Sequence, residues 1–345
     1  MYKSLVRPLL FQLAPEQAHH FSLHALKLAC SVPGIHLLLR ELFELKHPEL
    51  KREVAGITFP NPVGLAAGFD KNAECYRELF AFGFGFIEVG TVTPLPQPGN
   101  PQPRLFRLPH DQSLVNRLGF NNHGLDAVVK NLKNRNPGMI IGGNIGKNKD
   151  TPNQKASDDY VKGFEALYDV VDYFTINVSS PNTPNLRELQ EKVPLTSLLQ
   201  AVQRKNVSNK PIFLKIAPDI TQPQLEDIAE IVETTDIHGL VATNTTIERK
   251  NMVTPAGKVK EIGAGGLSGK ALRSRSTETI RNLRKVLPPD FPIIGVGGIF
   301  TPEDALEKME AGASLIQLYT GFVYEGPSIV NKINSGILSQ QKVTN

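Results

Sequence analysis

From residue 62 to residue 338 the chain alternates short apolar, β-branched runs with longer segments of helical period, eight times over. Strands are expected at 62–68, 84–90, 139–145, 172–178, 212–217, 237–243, 292–297 and 314–319. Helices are expected over 72–82, 123–134, 153–168, 193–205, 222–234, 270–286, 302–312 and 327–338. Several of the strands are apolar with little alternation, as in a parallel sheet covered by helices on its outside. That pattern places the chain in the α/β class, and a (β/α)8 or TIM barrel is the economical assembly. A doubly wound open sheet is the other candidate. It would carry a G-x-G-x-x-G turn after its first strand, and none stands there. Two interruptions remain. The stretch after residue 90 holds Pro94, Pro96, Pro98, Pro101 and Pro103 and is expected to be irregular, and a long loop is expected from 243 to about 269.

Residues 1–45 stand apart as an expected helical unit before the barrel of 46–345, joined by a polar connection over 46–56. Tyr2, Leu5, Val6, Leu9, Leu10 and Leu13 share one face at helical spacing. Pro15 suits a first helical position, with Ala18, Phe21, Ala25 and Leu28 continuing a second face. Ile35, Leu38, Leu39 and Leu42 form a third, beyond Pro33-Gly34. Such a unit is either a cap packed on the main domain or a helical pair whose apolar faces rest on a bilayer or admit a lipid-like ligand.

Composition narrows the classes further. The net charge of +4 is mild, and no Lys/Arg run comes with stacking aromatics, so a nucleic-acid binder is not expected. Cys30 and Cys75 show no metal spacing and read as free thiols of a reducing compartment. No apolar run approaches the ~18 residues of a membrane span, and no signal-peptide pattern opens the chain. Export is not expected, while contact with a membrane surface stays open.

In a barrel, chemistry collects where strands end. Small residues and a cation follow strand 1 (Ala67, Gly68, Lys71), and Thr91 follows strand 2. Asn144 closes strand 3, and Asn177, Ser180 and Asn182 follow strand 4. Strand 5 carries Lys215 within an apolar run, strand 6 ends in Thr243-Asn244-Thr245, and strands 7 and 8 end in Gly298 and in Tyr319-Thr320-Gly321. Each is an ordinary turn residue taken singly; six strands agreeing is a site. The last glycines suit an anion such as phosphate. A lysine inside a buried strand requires a negative partner, either a ligand or a structural carboxylate. The amides suit a flat polar heterocycle, because Asn both donates and accepts. Neither a metal cluster nor a Ser/His/Asp set is present.

Seven motifs in order resemble one family over essentially the whole length. They are Ala67-Gly68-Phe69-Asp70-Lys71, Asn116-Arg117-Leu118-Gly119-Phe120, Asn144-Ile145-Gly146-Lys147-Asn148, Asn177-Val178-Ser179-Ser180-Pro181-Asn182-Thr183, Lys215-Ile216-Ala217-Pro218-Asp219, Ala242-Thr243-Asn244-Thr245-Thr246 and Gly265-Gly266-Leu267-Ser268-Gly269. The chain is similar to the dihydroorotate dehydrogenases. The N-terminal unit and a serine at position 180 resemble the class 2, quinone-reducing forms, since class 1 forms lack that unit and place a cysteine as base. The resemblance implies FMN in the barrel mouth, oxidation of dihydroorotate to orotate in pyrimidine synthesis, and a membrane quinone as electron acceptor. It implies peripheral attachment to the cytoplasmic side of a membrane through the N-terminal helices.

By matching position, the resemblance makes Ser180 the catalytic base, with Thr183 a candidate helper. It gives substrate binding to Lys71, Asn116, Arg117, Leu118, Gly119, Phe120, Asn177, Asn182, Asn244 and Thr245. Ala67, Gly68, Lys71, Thr91, Asn144, Asn177, Lys215, Thr243, Gly266, Gly298, Tyr319 and Thr320 would hold FMN, and His19, Arg107 and Tyr319 would meet the quinone. Phe69 stands where relatives often have Leu, and Thr320 where some have Ser. Two other readings compete: a class 1-like enzyme using fumarate or a nicotinamide, and a flavin-free barrel lyase or isomerase acting on a phosphorylated substrate.

Overall fold

The computed structural model describes residues 2–250 and 252–344, with side chains through residue 341. Met1 and Asn345, the outer ends of the two expected units, and Asn251 in the long loop lie outside the described residues. Eight parallel strands close into a barrel. They are β1 (Val63–Leu65), β2 (Phe86–Val92), β3 (Ile141–Ile145), β4 (Tyr173–Asn177), β5 (Ile212–Ile216), β6 (Gly239–Ala242), β7 (Ile293–Val296) and β8 (Leu315–Leu318). Each pairs with its neighbours in sequence, and β8 returns to β1 through Ile316 opposite Val63 and Leu318 opposite Leu65. That closure rules out the open sheet. The strands are shorter than the apolar runs, partly because Pro62 and Pro292 have no N–H to give. Each contributes only a carbonyl, to Ile316 N and Leu240 N, at 2.9 Å.

Aromatic side chains fill the lower barrel. The Phe59 and Phe86 rings lie 5.0 Å apart and those of Tyr173 and Phe213 5.4 Å apart, all edge to face. Glycines make the room: a Cβ at Gly64 would stand 2.4 Å from the Phe86 ring, and one at Gly142 2.2 Å from that of Tyr173. Phe59 arrives on a hairpin, Arg52–Val54 with Ile57–Phe59, turned at Ala55 and Gly56 with φ of 50° and 75°. Part of the expected polar connection is therefore a strand. Outside, amphipathic helices such as Ala156–Leu167 bury Tyr160, Phe164 and Leu167 against the sheet. Each large side chain so buried is worth about 2–3 kcal/mol.

Two features escape local periodicity. Leu105–Leu108, Ser113–Asn116 and Gly266–Gly269 form a three-stranded antiparallel sheet over the barrel mouth. Helix Ala256–Ile262 interrupts the long loop. The first barrel helix also shrinks, to Tyr76–Phe80, because the Asp70 carboxylate takes the N–H groups of Glu74 and Cys75, each at 2.8 Å, and holds the chain in a turn.

The N-terminal segment begins with a helical turn, Tyr2–Val6, and continues as helices α1 (Arg7–Leu10), α2 (Pro15–Cys30) and α3 (Ile35–Phe43), as their spacing predicts. Ala18 is the one buried residue of α2, and α3 has none. Phe21, Leu28, Leu37, Leu38 and Leu42 are exposed instead. No single helix among the described residues is long and apolar enough to cross a membrane; α2 and α3 meet at 113°.

Candidate active site

At the carboxyl ends of the strands lies a cleft of about 1050 Å³. Of the residues expected there, Ala67, Gly68, Lys71, Thr91, Asn177, Lys215, Thr243, Gly298, Tyr319 and Thr320 line it. So do Ser180, Asn116, Leu118, Gly119, Phe120, Asn182, Asn244 and Thr245. Residues from Ala67 to Thr320, most of the length of the barrel domain, thus share one wall.

Three placements differ from expectation. Asn144 is fully buried one layer beneath the wall, bonded to Asn177 Nδ2 at 3.3 Å. Gly266 lies behind Thr245, whose Oγ1 would be 1.9 Å from an added Cβ, and Ser268 and Gly269 of the same strand reach the cleft. Arg117 turns away: its guanidinium bonds the carbonyls of Ile262 and Ala264 and stacks 4.6 Å from the Phe106 ring centroid. The reason is the antiparallel sheet, which presents alternate residues to opposite faces.

The amides form one connected set. Asn182 Nδ2 donates to Asn116 Oδ1 at 3.0 Å, and Asn244 Nδ2 donates to Ser179 Oγ at 3.0 Å and Asn177 Oδ1 at 3.4 Å. Ser180 is buried, and its Oγ accepts from Asn182 N at 3.2 Å. Thr183 Oγ1, nearby in sequence, is buried without a partner among the described residues. Lys71 bonds Asn121, and burial pushes its ammonium down to about 7.

The Lys215 ammonium makes neither an ion pair nor a hydrogen bond among the described residues. Burial lowers its pKa, and Glu88 pulls it back up. Glu88 and Gln317, both buried inside the barrel, were not singled out from sequence. The signal was available for Glu88, a charge within the apolar run Phe86-Ile87-Glu88-Val89, as for Lys215.

Beyond the Phe69 and Tyr319 rings lies a second, apolar cleft of about 1720 Å³, lined by Leu10, Phe11, His19, Phe69, Arg107 and Tyr319 among others. It brings together all three residues expected near a quinone. Burial, with His20 and Lys71 close by, pushes His19 down to about 4, so the ring is neutral at pH 7. Arg107 packs 4.5 Å from the Phe11 ring centroid and donates to the Leu13 carbonyl at 2.7 Å, which ties α1 and its following turn to the barrel.

Known proteins match this arrangement. The profile of the family described as dihydroorotate dehydrogenase covers residues 49–340. The chain belongs to the dihydroorotate dehydrogenase family. A dihydroorotate dehydrogenase (quinone) of Christiangramia forsetii is 57% identical over 99% of both chains. One from Thermosynechococcus vestitus is 47% identical over 98% of this chain and 96% of its own. The crystal structure of Eimeria tenella DHODH in complex with ferulenol superposes with a TM-score of 0.85 at 38% identity, covering 96% of this chain and 93% of that one. Dihydroorotate dehydrogenases are flavoenzymes, and the cleft fits such a group. Among the described residues the Lys215 ammonium and the buried Gln317 Oε1 have no hydrogen-bond partner, and a glycine turn, Gly297-Gly298 with φ of 128° and 72°, closes strand β7.

Proposed function

We propose that this chain oxidises (S)-dihydroorotate to orotate with FMN and passes the electrons to a membrane quinone, in pyrimidine synthesis. The observation that carries the reading is Tyr319, which borders both the amide-rich cleft and the apolar one. Tyr319, together with Leu105 and Leu114, which also line both clefts, thus separates a site for a polar heterocycle from a site for a lipid-like acceptor.

Bound FMN would supply the two-electron acceptor. Lys215, Thr91, Thr243 and Asn177 would hold its ring, and Gly298, Thr320 and Ser268 its phosphate. Asn116, Asn182, Asn244 and Thr245 would orient the substrate, and Lys71 would hold its carboxylate. Ser180 Oγ would take the C5 proton. A hydroxyl is a weak base at neutral pH, so its own proton must leave as the new one arrives, and the Thr183 hydroxyl, without a partner among the described residues, is a candidate to take it. Lys215 would offer a positive charge to the negative charge that builds on the flavin as the substrate is oxidised.

Residues 1–45 act as the quinone-access unit, and the exposed apolar faces of α2 and α3 rest on the cytoplasmic side of a membrane. The class 1-like and flavin-free readings are not favoured, since the full-length relatives are named as quinone enzymes. The test is the spectrum of the purified protein under anaerobic conditions. A flavin band near ~450 nm should bleach on adding dihydroorotate and return on adding a quinone. A colourless protein, or a band that dihydroorotate leaves unchanged, overturns the reading.

A further inference from the structure

Glu88 lies in the middle of β2 and is fully buried. Four donors from three other strands meet its two oxygens. Asn144 Nδ2 reaches Oε1 at 2.7 Å. Gln317 Nε2, Thr175 Oγ1 and the Tyr173 hydroxyl reach Oε2 at 2.8, 3.1 and 3.3 Å. Such convergence is what a buried carboxylate requires.

A carboxylate only accepts, so it dictates the polarity of every amide it touches. Asn144 must turn its NH2 toward Glu88, which leaves its carbonyl oxygen for Thr91 Oγ1 and for Asn177 Nδ2 at 3.3 Å. Asn177 has then committed its NH2, which also donates to Thr91 Oγ1 at 2.9 Å. Its own oxygen is left to accept from Asn244 Nδ2 at 3.4 Å and Ser179 Oγ at 3.1 Å. Gln317 obeys the same logic: its NH2 is spent on Glu88, and its oxygen is a free acceptor on a residue lining the cleft.

We propose that Glu88 is a positioning residue for the dihydroorotate and flavin site: an acceptor-only group inside the barrel that sets which end of the Asn144, Asn177 and Gln317 amides faces outward. Without it, each amide has two orientations of similar energy, and a ligand must select one on binding. The inference rests on the function proposed above.

The test uses flavin-loaded protein and orotate, read by the shift orotate causes in flavin absorbance at equilibrium. Glu88→Gln keeps the shape but both donates and accepts, so Asn144 is free to lie either way. Orotate Kd should rise about tenfold or more, the scale of one lost charged hydrogen bond. Combining Glu88→Gln with Asn144→Asp moves the acceptor-only group one step outward at unchanged net charge. The amide introduced at position 88 then donates to the carboxylate introduced at position 144, whose other oxygen still accepts from Asn177. This pair should bring Kd back to within about threefold of the unmodified protein, a coupling that independent defects would not show. Wild-type affinity in Glu88→Gln, or a paired variant binding no tighter than the single one, overturns the proposal. If Glu88→Gln alone does not fold, the pair must both fold and bind orotate, and its failure counts against the proposal equally. Unmodified protein without flavin, or with no spectral response to orotate, rejects the underlying function and this inference with it. That result is seen before any variant is compared.

Discussion

Phe69 stands edge-on to Tyr319, ring centroids 5.4 Å apart; Tyr319 borders both the polar and the apolar cleft, and Phe69 backs it from the apolar side. Phe69 is braced by His19 at 5.0 Å and Phe322 at 5.3 Å. Through His19 it joins the N-terminal helices to the barrel. Phe69→Ala should cost about 3–5 kcal/mol, the usual range for a buried aromatic, read as a lower melting temperature. In stopped-flow measurements, reoxidation by quinone should slow more than reduction by dihydroorotate. Phe69→Leu, which keeps an apolar wall, should change both far less. Equal slowing of the two half-reactions in Phe69→Ala would count against the wall.

Ser180→Ala removes the one hydroxyl placed to take the substrate proton. Reduction of the flavin by dihydroorotate should fall by roughly 10²-fold or more, the scale of a lost general base. Reoxidation by quinone should stay nearly intact, because Ser180 borders only the polar cleft. The two rates are measured separately in anaerobic mixing. Damage of similar size to both would sink the assignment.

Lys71 links orotate binding to pH. Burial pushes its ammonium down to about 7, while a bound carboxylate favours the charged form and raises it. Below pH 7 the proton is already present, and orotate affinity should be flat. Above pH 7 binding must take up a proton, so Kd should rise by about tenfold per pH unit until the bound-state pKa is reached. Titrations from pH 6 to 9 would show the bend, and Lys71→Met should bind more weakly with the bend gone. A bend that survives the substitution belongs to another group.

Leu37 and Leu38 are 68% and 50% exposed on α3. If this face rests on a bilayer, Leu37→Glu with Leu38→Glu should weaken binding to anionic lipid vesicles by roughly 1,000-fold, at about 2 kcal/mol for each of the two buried leucines. Cosedimentation measures it. Reduction of the flavin by dihydroorotate in solution should be unaffected. Vesicle binding that persists would leave the helices as a cap alone.

The barrel was legible because burial leaves a local trace. Apolar runs of strand length and helices of period 3.6 alternate wherever both faces of a sheet are covered, and Tyr173–Asn177 or Gln222–Thr235 follow from their own residues. Lys215 was legible for the same reason, as a charge in a run that must be buried. The sheet joining Ser113–Asn116 to Gly266–Gly269 left no such trace, since these two partners lie far apart along the chain.

The sequence by itself determined the order of elements, the barrel class and, through its motifs, the family. Only the tertiary structure decided that Arg117 turns from the cleft, that Asn144 lies beneath it, and that Tyr319 borders two cavities. Element type depends on neighbours along the chain. The direction of a guanidinium or an amide depends on which partners meet it through space, and those are known only once the strands have closed.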